Sequence, residues 1–249
     1  MSSVVTFRFY EELNLFLKKE LRKKPFEWEI NGKANIKDVI EALGVPHTEV
    51  DVILVNSKPV DFSYSLQPND FISVYPVFES FDVSHLSVLR DKPLRNPHFI
   101  LDVHLGKLVK YLRLAGFDCL YETNYTDPQI IEISVAERRI ILTRDKGILK
   151  NKKVTHGCYI HSNKPKEQFL EIINRLQLEN QIRPFTRCTI CNGEIVQVDK
   201  SKVADQLQPL TLKYFTEFYQ CLGCGRVYWE GSHFERMNGF ISRWVEGSR

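Results

Sequence analysis

The chain has 249 residues, of which 43% are hydrophobic and 26% charged, the balance of an ordinary globular protein rather than a disordered or fibrous one. No stretch approaches the roughly 18 consecutive apolar residues of a membrane span, which excludes a membrane-spanning reading. The formal net charge of +3 is unevenly spread: residues 1–82 carry 9 Lys/Arg against 13 Asp/Glu, and residues 83–249 carry 25 against 18. An acidic front and a basic remainder suit a polyanion-binding carboxyl part, and an uneven solvated surface would give the same asymmetry.

Met1-Ser-Ser-Val-Val-Thr-Phe-Arg-Phe9 has neither the charged start nor the apolar core of a signal peptide, so a cytoplasmic protein is expected. Val4 to Phe9 alternates apolar and polar residues and predicts a half-buried strand. Leu13 to Leu21 has helical spacing. Phe26 to Ile30 alternates again before the turn signal Asn31-Gly32. Asn35 is placed to cap a helix with Ile36, Val39, Ile40 and Leu43 inward, and Gly44 stops it. Val52–Val55 and Phe71–Tyr75 read as strands joined through the turn Gln67-Pro-Asn-Asp70. This order predicts a β-grasp domain over residues 1–82. At Val52-Ile-Leu-Val-Asn-Ser-Lys-Pro-Val60 and Leu66-Gln-Pro-Asn-Asp-Phe-Ile-Ser-Val-Tyr-Pro76 it resembles the ubiquitin-like sulfur carriers. The Gly-Gly carboxyl terminus that those carriers need is absent, so the expected role is docking a protein partner.

Residues 83–97 hold Asp91-Lys-Pro and Arg95-Asn-Pro and read as a linker. A strand, Phe99-Ile-Leu101, then ends at Asp102. Leu105, Leu108, Leu112 and Ala115 recur at helical spacing, with Lys107, Lys110 and Arg113 as a basic stripe and Gly116 as the stop. Asp118–Tyr121 is a second strand. A helix starts at Thr126-Asp127-Pro128 and runs to about Arg138. Arg139–Thr143 is a third strand, ended by Arg144-Asp145-Lys146-Gly147, and Cys158–Ile160 a fourth. Lys164 to Leu178 is an amphipathic helix with Phe169, Ile172, Ile173 and Leu176 inward. Alternating strands and helices predict an α/β domain with a three-layer parallel sheet over residues 98–180.

Parallel sheets gather chemistry at the carboxyl ends of their strands. Asp102 and Asp145 end two strands there, and Asp127 opens the helix that precedes the third. Such a set repels itself unless a hard cation, Mg²⁺ or Mn²⁺, offsets the charge, and the cation can then prime water for attack on a phosphodiester. Each acid has a plainer reading: Asp102 and Asp127 as helix caps, Asp145 as a turn aspartate. Lys107 and Arg144 are candidates for phosphate contact. His104 reads as a helix-start residue.

Cys188-Thr-Ile-Cys191 and Cys221-Leu-Gly-Cys224 are metal knuckles; two intervening residues let both sulfurs of each pair reach one ion. Four thiolates close the shell of a structural zinc site within residues 181–249. The 29 residues between the knuckles leave room for a hairpin or a helix. Cys119 and Cys158 read as small core residues. Aromatic residues from Tyr214 to Trp229 are interleaved with Arg187, Lys200, Lys202, Lys213 and Arg226, as in single-strand binders, although most of them can instead form the ribbon core. Phe234–Val245 reads as a terminal helix, and His233 as a surface histidine.

The run from Phe99 to Asp118, then Ile140-Ile-Leu-Thr-Arg-Asp-Lys-Gly147, then Arg187-Cys-Thr-Ile-Cys-Asn-Gly193, resembles the Mut-seven carboxy-terminal ribonucleases, a branch of the PIN-like nucleases, over about residues 97–240. The front segment resembles their ubiquitin-like companion domain. The resemblance implies a PIN-like fold, metal-dependent cleavage of RNA and a zinc ribbon; single-stranded RNA or an exposed segment of tRNA or mRNA is the expected substrate. By position it makes Asp102 and Asp145 Mg²⁺ or Mn²⁺ ligands, with Asp127 or Glu137 as the middle acid. Lys107, Lys110, Arg113 and Arg144 are the expected RNA contacts. The rival reading is a non-catalytic RNA-binding adaptor whose β-grasp domain docks a partner.

Overall fold

The computed structural model describes residues 2–76, Leu89, 97–231 and Gly239. The expected linker up to Asn96, His233 and the helix over Phe234–Val245 lie outside the described residues. The chain divides into two compact units: Met1–Asn96 with Asp127–Tyr159, and Pro97–Thr126 with Ile160–Arg249.

The first unit opens with a five-stranded mixed sheet. Its strands are β1 (Ser2–Phe9), β2 (Phe26–Asn31), β3 (Val50–Val55), β4 (Lys58–Val60) and β5 (Phe71–Pro76), in the order β2-β1-β5-β3-β4. β1 runs parallel to β5, Thr6 opposite Phe71, and the other neighbours are antiparallel. Val5, Phe7 and Phe9 point into the core at no more than 2% exposure, as the alternation requires. Helix α1 (Ile36–Ala42) packs Ile36, Val39 and Ile40 on the sheet; Asn35 caps it by accepting the Lys37 N–H at 2.8 Å, and Gly44 ends it at φ +103°.

One element differs from its pattern. Leu13–Leu21 folds as two short 3₁₀ turns, Glu11–Phe16 and Lys19–Leu21, instead of a helix. The buried Asn14 is the reason: its amide donates to the carbonyls of Phe9 and Glu11, and its oxygen accepts the Lys23 N–H at 2.7 Å. Apolar spacing set which residues face in, and the side-chain bonds set the backbone.

The same unit holds α3 (Asp127–Glu137), β8 (Ile140–Thr143), the single turn α4 (Lys146–Leu149) and β9 (Gly157–Tyr159); the second unit holds β6 (Phe99–Leu101), α2 (Gly106–Leu114), β7 (Cys119–Leu120) and α5 (Pro165–Arg175). β6 pairs with β7 in parallel, and β8 with β9 in parallel. All three residues of β6 are fully buried, which explains their unbroken apolar run. α2 buries Leu108 and Leu112 and packs along α5, where Tyr111 meets Phe169 with ring centroids 6.2 Å apart. Gly116 ends α2 at φ +96°, and a Cβ there would lie 2.1 Å from the Arg183 carbonyl, so no other residue fits.

The ribbon belongs to the second unit. β10 (Ile195–Val198) pairs antiparallel with β11 (Phe218–Cys221), which pairs with β12 (Val227–Tyr228). Between β10 and β11 stand two short helices, α6 (Lys200–Val203) and α7 (Pro209–Tyr214), filling the gap between knuckles. The fold class read from sequence holds: a β-grasp-like mixed sheet, parallel strands flanked by helices, and four cysteines clustered as in a zinc ribbon. Among the described residues, no helix is long and apolar enough to cross a membrane.

Candidate active site and metal centre

The four cysteines form the candidate metal centre. Their sulfurs lie within 4.8 Å of one another, with Cys188 3.7 Å from Cys224 and Cys191 3.4 Å from Cys221. Tetrahedral zinc with bonds of about 2.3 Å needs sulfurs roughly 3.8 Å apart, whereas a disulfide needs about 2.05 Å. Among the described residues this is the one set of three or more metal-type donors so gathered. The knuckle backbone turns its N–H groups onto the sulfurs: Cys191 onto Cys188, Gly193 onto Cys191, and Gly223 and Cys224 onto Cys221. Burial pushes the Cys188 thiol up, but the N–H groups of Cys191 and Ile190 and the Tyr228 hydroxyl outweigh it and hold its pKa at about 6. At Cys191 burial dominates and pushes the thiol up to about 12. Gly193 leaves the space the sulfurs occupy; a Cβ there would lie 2.8 Å from the Cys221 sulfur. Cys119 and Cys158 are buried core residues, as read from the sequence.

This centre is tied to the parallel strand beside it by two side chains. Arg113 donates from Nε and Nη2 to the Cys119 carbonyl at 3.0 and 2.7 Å, and from Nη1 to the Ile190 carbonyl inside the first knuckle at 2.6 Å. Asn192 accepts the Cys119 N–H and donates to Asp118, both at 2.9 Å. Arg113 departs from the exposed basic stripe that its spacing suggested: at 5% exposure its guanidinium is a cross-brace between the strand and the knuckle. Burial opposes its charge, and the thiols of Cys119, Cys188 and Cys191 and the Glu122 carboxylate favour it. Four thiolates around a divalent ion carry a formal surplus of two negative charges, which this guanidinium helps to balance. Arg113→Met is expected to strand the buried Cys119 carbonyl and cost about 2–4 kcal/mol. Thermal denaturation checks it; a melting temperature within a degree of wild type would mean the brace carries no energy.

The carboxylates sit at separate element ends. Asp102 directly follows β6 and is buried at 5% exposure. Its backbone carbonyl accepts the Leu105 N–H at 2.9 Å, but its side chain makes no capping bond, so it is not held there as a helix cap. The Tyr121 hydroxyl donates to the Val103 carbonyl at 3.0 Å and fixes the turn after Asp102. Nothing in the sequence singled out Tyr121.

Asp145 is exposed and does cap α4: its Oδ1 accepts the Gly147 N–H at 2.6 Å. Its own N–H donates to the hydroxyl of the fully buried Thr143 at 2.9 Å. The Thr-Arg-Asp-Lys-Gly signature thus reads as a rigid turn: a buried Thr, an exposed Arg144, and a carboxylate pinned at one oxygen.

Asp127 is exposed at the first residue of α3, where a negative charge complements the helix dipole. It lines an open groove of about 1000 Å³ together with Ile131, Glu132, Val135, Gly147 and Ile148. The groove therefore runs from Asp127 to the Asp145 turn and adds Glu132, an acid the sequence left unmarked. Glu137, the other candidate middle acid, pairs with Arg139 at 2.7 Å. It lies ten residues from Asp127, about 15 Å along the helix. Asp118 is committed to Asn192 and, at 3.7 Å, to Arg187. Lys107, Lys110, Arg144 and His104 are exposed. Of the ribbon aromatics, Phe218 is buried and Tyr219 and Tyr228 pack on the cysteine core, while Tyr214 is 69% exposed under the Lys213 ammonium.

A family model described as the Mut7-C RNAse domain matches residues 97–241, and one described as Mut7-C ubiquitin matches residues 2–82. No curated protein and no solved structure gives a match. The two matched domains stand in the order that the sequence motifs implied.

Proposed function

We propose that this chain, which belongs to the Mut7-C RNAse family, is a cytoplasmic ribonuclease in which Asp102, Asp127 and Asp145 hold Mg²⁺ or Mn²⁺ and four cysteines hold a structural zinc ion. The observation that carries the reading is the match over residues 97–241, because Asp102, Asp127 and Asp145 all fall inside it at element ends. Carboxylate oxygens are the donors that hard divalent cations take. When bound, such a cation polarises a phosphodiester and lowers the pKa of water.

The protein groups supply positioning and charge. Asp102 is buried, which keeps it in one orientation. Asp145 is exposed and has one oxygen tied to Gly147, a preorganised donor rather than a mobile one. Lys107, Lys110 and Arg144 are exposed and can neutralise phosphates along an RNA strand. Exposed or single-stranded regions of tRNA or mRNA are the substrates this suits. For the cysteines, the spacing of the sulfurs and the N–H bonds to them support zinc over iron–sulfur or a redox pair.

The test is hydrolysis of end-labelled single-stranded RNA with Mn²⁺ or Mg²⁺, comparing wild type with the Asp102→Asn/Asp145→Asn double variant. Wild type is expected to cleave and the double variant not to. Equal cleavage by both would remove these acids from the reaction. Salt-sensitive binding by both with no cleavage under either metal would favour the adaptor reading.

A further inference from the structure

Residues 47–49 of the β-grasp fold are unusual for a surface turn. His47, Thr48 and Glu49 are 7%, 1% and 1% exposed. What covers them is the segment that follows Asp145. The Glu49 carboxylate accepts the Tyr159 N–H, and Nε2 of His47 bonds the Val154 carbonyl at 2.9 Å. Nδ1 of His47 is held by Glu41 at 2.6 Å. Lys150 donates to the carbonyl of Glu41 at the end of α1. Gly157 permits the approach: a Cβ there would meet Leu149 at 2.4 Å and the Thr48 hydroxyl at 3.6 Å.

The second half of the contact lies directly beside Asp145. The Lys146 ammonium stands 5.0 Å from the Phe16 ring centroid and 5.6 Å from that of Tyr159, and the two rings meet edge to face at 5.5 Å. The Lys146 side chain is half-buried, drawn between the rings rather than left in water. Tyr159 itself packs on the β-grasp core. A freely swinging module would not bury a glutamate and a histidine against residues more than a hundred positions away.

We propose that the β-grasp domain is an intramolecular clamp on the Asp145 turn. Glu49 and His47 fix β9 and the loop before it, and Phe16 with Tyr159 fixes Lys146. The neighbouring Asp145 is thereby held in the geometry its reaction needs. Glu49 and Lys146 are positioning residues. The face formed by Phe16, the end of α1 and residues 47–49 is consequently filled by this chain itself, so a partner protein would have to use another face. The effect on catalysis rests on the ribonuclease reading above; the clamp does not.

The experiment uses full-length protein and two readouts, amide hydrogen exchange and Mn²⁺-dependent RNA hydrolysis, on Glu49→Ala, Glu49→Gln and Lys146→Met. Glu49→Ala should speed exchange at Tyr159 and at Gly147, whose N–H reports the Asp145 bond, by about tenfold. It should lower kcat by about tenfold with KM unchanged. Glu49→Gln keeps an acceptor for the Tyr159 N–H and should recover most of both. Lys146→Met leaves the buried Glu49 contact intact and should raise exchange at Gly147 alone, which covers the case where Glu49→Ala fails to fold. Wild-type exchange at both amides in Glu49→Ala and Lys146→Met would overturn the clamp. Faster exchange in these variants, with a wild type that cleaves no RNA, would sustain the clamp and remove the ribonuclease reading instead.

Discussion

Stripping zinc with a strong chelator, or replacing Cys191 with Ser, is expected to unfold the ribbon. The core around the cysteines is small: Cys188, Ile195 and Cys221, with Tyr219 and Tyr228 packed on them. That apolar area cannot hold a three-stranded ribbon whose strands have four, four and two residues, whereas structural zinc sites contribute about 10–16 kcal/mol. Loss should not stop at the ribbon. Once the first knuckle loosens, Arg113 loses the Ile190 carbonyl and the buried Cys119 N–H loses Asn192. Each stranded group costs about 1–3 kcal/mol, and each kcal/mol lowers the melting temperature by about 2–4 °C in a chain of this size. The apo protein should therefore melt several degrees lower and be cut by protease between residues 187 and 231. Metal analysis of the untreated protein should find stoichiometric zinc. A chelated chain whose ribbon still resists protease would show that the cysteines are not its main support.

Much of this arrangement was legible in the residues. Val5, Phe7 and Phe9 alternate because one face of β1 is core, and Asn35 and Gly44 bracket α1 because a helix needs its first N–H groups and last carbonyls satisfied. The paired cysteines announced their cluster by spacing alone. What stayed hidden was hidden for physical reasons. Arg113 follows Lys107 and Lys110 at helical spacing and so read as a third exposed cation; only the carbonyls of Cys119 and Ile190, distant in sequence, draw it inward. Glu49 carries no mark in the sequence, and the Tyr159 N–H it accepts in the interior lies 110 residues away. α4 has four residues, too few to show a period, and its start is set by the Asp145 cap rather than by apolar spacing. Local pattern reports which face is apolar. It does not report polar side chains whose partners come from another segment.

The three site acids should separate activity from stability in a way that a structural role could not imitate. Asp102→Asn is expected to lower Mn²⁺-dependent hydrolysis on the order of 10²-fold or more, since even an outer-shell partner of a metal ligand is worth about 10–100-fold. The same change should leave the melting temperature close to that of wild type. Asp102 is 5% exposed and its side chain caps no helix, so an amide of nearly the same volume opens no gap in the packing. Asp127→Asn should lower activity too, with a small loss of stability. Its charge is exposed at the first turn of α3, where it contributes about 0.3–1 kcal/mol against the helix dipole. Asp145→Asn should lie between them, because the amide oxygen can still accept the Gly147 N–H that Asp145 holds at 2.6 Å. Melting curves beside rates on labelled RNA decide it. Rates that fall only as far as the melting temperatures fall would make these residues parts of the scaffold. Activity lost at Asp102 with the fold intact leaves cation binding as the role its carboxylate serves.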